Sequence, residues 1–187
     1  MAMPLAEPFY TAEMVRALID ETRHWPRYET VHGELLVTPA PRPTHQELVL
    51  RLVIALREYL AREPVGRALI SPADISWGLP DTLVQPDVFV IPRDQWHPTD
   101  WGVVRHLLLA AEIRSPGSTR ADRFTKRVLY RERGVPLNWL VDPDAEWVEV
   151  WTPADVLPRV ERDIMRWHPE GAREAFELSV PELFREM

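Results

Sequence analysis

Four side chains have the types and placing to do chemistry on a phosphodiester: Glu34, Asp87, Glu112 and Lys126. The three acids begin or end runs that read as β-strands, and the lysine lies on the helix expected after the last of them. Carboxylates from neighbouring strands can converge on Mg²⁺, a hard cation that takes oxygen ligands and keeps several waters. Such an ion polarises a phosphodiester and lowers the pKa of an attacking water. A nearby ammonium would orient that water or stabilise charge developing on the phosphate. Acids near strand ends are also commonly solvated, so spacing alone leaves both readings open.

The elements that must position them centre on residues 106–134. Leu107 to Ala111 is a short continuous apolar run, as in a strand buried on both faces. It ends in Glu112 and Arg114, two residues apart and so on one face of a strand. Ser115-Pro116-Gly117-Ser118 reads as a turn. A helix should follow, capped by Ser118 or Thr119 and stopped by Gly134. Of the 22 basic residues, Lys126 is the single lysine. Where arginine is otherwise used, one lysine suggests a site that wants a compact ammonium; the alternative is an Asp122–Lys126 pair on a solvated face. Asp87 is the sole charge in the apolar run Val84–Pro92. Burying it unpaired would be expensive, so it should be paired, metal-bound, or placed where the strand opens to water.

At 187 residues, 45% hydrophobic and 27% charged, the chain reads as one ordinary globular domain over 1–187. No apolar run approaches a membrane span, and the N-terminus does not resemble a secretory signal. The absence of cysteine excludes disulfides, thiolate metal sites and cysteine catalysis; a cytoplasmic location is compatible. Many arginines, 19 prolines and a single asparagine would suit a heat-stable protein. A net charge of −7 argues against nonspecific coating of nucleic acid. Residues 114–133 nevertheless carry seven positive charges, a local basic groove or a solvated helix face.

In chain order, the spacing predicts a helix over Thr11–Thr22 with an apolar stripe of Met14, Ala17, Leu18 and Ile19. Tyr28–Val31 and Glu34–Thr38 form a hairpin turned at His32-Gly33. Thr44-x-x-Glu47 matches a capping box, opening a helix to about Arg62. Strands are expected at Ala68–Ser71, Asp74–Trp77, Val84–Pro92, Leu137–Val141, Glu146–Trp151, Arg159–Trp167 and Glu174–Leu178. Ser179 can cap a final helix, Pro181–Arg185. Trp147 and Trp151 either cover the sheet or meet a partner chain, so a homodimer or higher homo-oligomer stays open. This order is that of an α/β or α+β domain with one central sheet.

The segments His32-Gly-Glu-Leu, Pro-Thr-His45-Gln, Gln85-Pro-Asp87-Val, Glu112-Ile-x-Ser-Pro-x-Ser, Asp122-x-x-x-Lys126, Tyr130, Gly134-Val and Trp139-Leu-Val-Asp-Pro143 together resemble the Uma family of restriction-endonuclease-like proteins, over roughly residues 28–185. The resemblance implies a PD-(D/E)XK nuclease core: a mixed sheet flanked by helices, with metal-binding acids at its centre. It gives Asp87 and Glu112 as ligands of Mg²⁺ (or Mn²⁺), Glu34 as an additional acid and Lys126 as the catalytic lysine. The parent pattern expects that lysine at Arg114, so the chain departs there. Arg114, His45 and Arg123 are candidate substrate contacts. The function so implied is metal-dependent cleavage of phosphodiester bonds, in DNA; the alternative is a non-catalytic interaction or regulatory protein retaining the scaffold. No Ser–His–Asp arrangement, short histidine metal spacing or Gly-rich phosphate loop competes. Glu34 and Glu112 as a glycosidase pair remain possible on chemistry alone.

Overall fold

The structure, a computed structural model, describes residues 8–22, 25–115 and 121–185, and only the backbone of 121–123. Its centre is a six-stranded mixed sheet with order β3-β4-β5-β6-β7-β8. These strands are β3 (Gly66–Ile70), β4 (Val88–Pro92), β5 (Leu109–Ile113), β6 (Asn138–Asp142), β7 (Trp147–Trp151) and β8 (Arg159–Glu161). All neighbours are antiparallel except β5 and β6, which run parallel. A parallel pair needs a crossover, and the helix before β6 supplies it.

Period-2 alternation sorts the strand side chains between two faces. Val88, Val90, Leu109, Ala111 and Ile113 turn toward helix α2 (Pro43–Arg62), whose Leu48, Leu52 and Leu56 are fully buried against them. Phe89, Ile91 and Ala110 turn the other way, onto Leu129 and Tyr130 of helix α3 (Arg127–Glu132) and Val31 and Leu36 of the hairpin. That hairpin is β1 (Arg27–Val31) with β2 (Glu34–Thr38), turned at His32 and Gly33. Both turn residues have positive φ, 51° and 83°, as the two-residue hairpin turn requires. Helix α1 (Ala12–Thr22) braces β1, and Thr11 Oγ1 accepts from Met14 N–H at its start.

The C-terminal hairpin, β9 (Ile164–Trp167) and β10 (Phe176–Ser179), closes over the α2 face, followed by helix α4 (Val180–Phe184). Ser179 caps α4 by accepting from Glu182 N–H. Trp147 and Trp151 are half-buried and carry Arg162 and Arg127 stacked 4.4 and 4.3 Å from their rings.

Several local expectations are corrected. Met14 and Ala17 are exposed, and α1 buries Ala12 and Val15 instead. The capping box does not form: Arg42 is the N-cap, with no side-chain bond, and Pro43 starts the helix. Thr44 therefore sits inside the first turn, and Glu47 pairs with Arg51. Asp74–Trp77 contributes one isolated bridge, Ile75 to Val84, rather than a strand. Arg159–Trp167 is two strands broken at Arg162-Asp163. The proposed Ser118 or Thr119 cap lies outside the described residues; the helix there begins with a wide π-type turn, Ala121–Lys126.

Candidate active site

Asp87 immediately precedes β4, and Glu112 is the fourth residue of β5. The last pair of this antiparallel ladder is Val88 with Ala111. One further step sets Asp87 across from Glu112, and alternation turns both toward the hairpin and α3 face. The main chain agrees: Ile113 N–H donates to Asp87 Oδ2 at 2.9 Å.

Lys126 closes the other side. It ends the π-type turn, and its ammonium lies 2.9 Å from Glu29 Oε1 and 3.2 Å from Glu112 Oε2. All three side chains are almost wholly buried. Wide π-type turns often mark functional sites, because they re-aim a side chain that regular helix would carry elsewhere. Tyr130, one turn on, donates its hydroxyl to Glu112 Oε1 at 2.5 Å.

Glu29 comes from β1, where alternation places it on the inner face with Arg27 and Val31. Its Oε1 also accepts from Gln85 N–H at 2.7 Å, while its buried Oε2 has no hydrogen-bond partner among the described residues. Arg27 Nη1 donates to Asp87 Oδ1 at 3.0 Å. His45, in the first turn of α2, reaches past the sheet end so that Nε2 lies 3.0 Å from Asp87 Oδ2.

Burial alone would raise the pKa of Asp87. The hydrogen bond and charge of His45, with Arg27 and Lys126, more than reverse this and hold it well below the usual carboxylate range. For Arg27, burial works to lower its pKa, but Asp87, Glu29 and Glu112 together leave it raised. Desolvating an ion costs several kcal/mol, so a buried cluster like this is weak evidence for stability and better evidence for a task.

Asp87, Glu112, Lys126, Arg27 and His45 line one cavity of about 20 Å³, walled also by Trp25 and Pro41. That volume suits one water or one small ion. The oxygen donors of Asp87 and Glu112, both lining this cavity, fit a hard divalent cation. They are the residues that would hold it, and Glu29 is joined to them through Lys126.

The remaining sequence candidates go elsewhere. Glu34 is exposed and pairs with Val31 beside the hairpin turn, two rungs or about 7 Å beyond the rung of Glu29. It does not join the cluster; Glu29 occupies that place. Alternation could have found Glu29, which shares a strand face with the apolar Val31. Arg114 does not face the cavity either. The strand ends at Ile113, and Arg114 forms an ion pair with Asp142, its neighbour across the parallel β5–β6 ladder. The side chain of Arg123 lies outside the described residues.

A family model described as "Uma2: Putative restriction endonuclease" matches residues 12–181. Among solved structures, the chain is similar to one described as a putative nuclease belonging to DUF820 from Anabaena variabilis, at 23% identity. The match covers 94% of this chain and 97% of that one with a TM-score of 0.72, which shows a shared fold. No curated protein matches the chain.

Proposed function

The chain belongs to the Uma2 family, and we propose from the geometry of its buried cluster that it is a Mg²⁺- or Mn²⁺-dependent nuclease that hydrolyses phosphodiester bonds in DNA. One observation carries this reading: Asp87, Glu112 and the chain's single lysine line one cavity the size of a water or small ion. A bound divalent cation would supply Lewis acidity toward the phosphate oxygens and acidify a bound water. Asp87 and Glu112 would hold it, with Glu29 joined to them through Lys126. Lys126 would present a hydrogen-bond donor to the attacking water or the crowded phosphate oxygens. Tyr130 and Glu29 fix Glu112 and Lys126 in orientation, and Arg27 and His45 do the same for Asp87. The test is cleavage of plasmid and oligonucleotide with and without metal. Asp87→Ala and Lys126→Ala should each lower metal-dependent cleavage by about a hundredfold or more. Equal activity in the wild type and both variants refutes the assignment.

A second reading is favoured by one feature. Both Asp87 oxygens already accept hydrogen bonds, from Arg27, His45 and Ile113 N–H. Among the described residues no three His, Cys, Asp or Glu side chains form a ready coordination shell. A non-catalytic protein that keeps the scaffold would retain such a cluster as a self-paired polar core. No metal binding at millimolar Mn²⁺ would support it.

A further inference from the structure

Two clefts lie between α2 and the edge strand β3, and they differ in lining. The first, of about 350 Å³, opens onto the acid cavity and shares Trp25, Arg27, His45 and Asp87 with it. Here the walls are apolar: Leu50 of α2 and Ile70 of β3, 52% and 43% exposed. Ile54, also half exposed, follows Leu50 by one turn on the same face of α2. The second cleft, of about 300 Å³, is bounded by Arg57 of α2, Gly66 and Arg67 of β3, and Arg93 just after β4. None of these three guanidinium groups makes an ion pair with a described carboxylate, and Arg67 stacks 4.3 Å from the ring of Trp96. In a chain of net charge −7, a cleft lined by three arginines and no acid favours an anionic partner.

We propose that the two clefts together form the track of a single-stranded nucleic acid, with bases against the apolar cleft and phosphates on the arginines of the other. The proposal rests on the nuclease reading, and it names the form of substrate that reading leaves open. The chemistry favours a single strand over a duplex. A duplex presents phosphates outward, which would leave Leu50, Ile54 and Ile70 facing charge. A splayed strand offers base faces to exposed aromatic and aliphatic side chains and phosphates to a basic patch. Trp25, 41% exposed at the mouth of the acid cavity, is placed to stack a base beside the phosphate being cut. Arg57 lies seven residues beyond Leu50, about 10 Å along α2, so the triad would grip the strand a few nucleotides from that point.

The test is binding of a fluorescent 20-mer of thymidylate, measured by anisotropy in EDTA so that neither metal nor turnover enters. The wild type should bind it about tenfold or more tightly than a duplex of equal length. Replacing Arg57, Arg67 and Arg93 together with alanine should weaken binding about tenfold or more. It should also flatten the dependence of log K on log salt by about 2, three phosphates at roughly 0.7 each. Leu50→Ser with Ile54→Ser should weaken single-strand binding while leaving the salt slope intact, which separates base contact from charge. All these positions are exposed, and unfolding midpoints check that the variants are folded. Equal or tighter binding of duplex, or an arginine variant with unchanged affinity and slope, overturns the proposal, as does a wild type that binds no oligonucleotide. The two readings fail separately. A protein that binds by these rules but never cleaves keeps the track and loses the nuclease. Metal-dependent cleavage abolished by Asp87→Ala but indifferent to the arginines does the reverse.

Discussion

The Lys126 ammonium rests 2.9 Å from Glu29 Oε1, with 3% and 1% of the two side chains exposed. Glu29 stands on the docked hairpin and Lys126 on the crossover helix, so this contact ties two elements that meet only in the folded chain. If Glu29 orients the lysine, Glu29→Gln should lower metal-dependent cleavage by about 10–100-fold. Glu34→Gln, beside the turn, should stay within about twofold of the wild type. Steady-state cleavage rates decide this, and the opposite ranking would restore Glu34 to the site.

Lys126 also neutralises two buried acids at once. Removing one partner from a buried ion pair typically costs about 3–5 kcal/mol, because the remaining charge is left uncompensated. Lys126→Ala should lose stability of that order in EDTA, measured by urea unfolding. Millimolar Mn²⁺ should recover part of the loss, since a ligand that binds only the folded state stabilises it. A variant as stable as the wild type would mean that the acids are already neutral or solvated.

Arg114 pairs with Asp142 and not with the cavity. Asp142 keeps main-chain bonds from Asp144 and Ala145 N–H when the arginine is lost. Arg114→Ala should therefore cost about 2 kcal/mol in unfolding free energy and leave the cleavage rate per folded molecule unchanged. A hundredfold fall in rate with normal stability would return Arg114 to the chemistry.

Glu63, at the C-terminus of α2, holds the C-terminal hairpin by accepting Arg173 N–H at 2.8 Å and its guanidinium at 3.2 Å. That main-chain bond, opposed by desolvation and aided by the guanidinium, lowers the pKa of Glu63 below its ordinary 4.5. A depressed carboxyl contributes stability above its unfolded pKa and loses it as pH falls through the folded value. The stability gap between the wild type and Glu63→Gln should be constant at neutral pH and shrink below about pH 4.5. Urea melts between pH 3 and pH 7, values chosen to bracket roughly that window, test it. A gap that widens on acidification would contradict the assignment.

What could be read in the chain depended on how local each signal was. Asp87 stood out because a lone charge in an apolar strand must be accounted for, and Lys126 because every other basic side chain is arginine. The hairpin, α2 and the parallel crossover follow from alternation, helical spacing and turn residues within short windows. Alternation sets Glu29 and Arg27 on the face of Val31 but does not say what that face meets. Their side chains become part of the site only when β1 docks on the sheet, through its bridge from Thr30 to Leu83 and its packing on α1. Arg114 misled because alternation gives the face of a side chain and not its partner: the ladder runs on through Arg114 N–H to Val141 O, and the guanidinium turns sideways to Asp142. The apparent capping box failed because Pro43 starts the helix two residues sooner and draws Thr44 inside it.

Asp87 and Glu112 are proposed to hold one divalent cation next to Lys126. Calorimetric titration of Mn²⁺ into the wild type and Asp87→Asn, both shown to be folded, tests it directly. One site is expected in the wild type, lost or weakened by about 10-fold or more in the variant. Identical isotherms for the two proteins, or no heat from the wild type at millimolar metal, would contradict it.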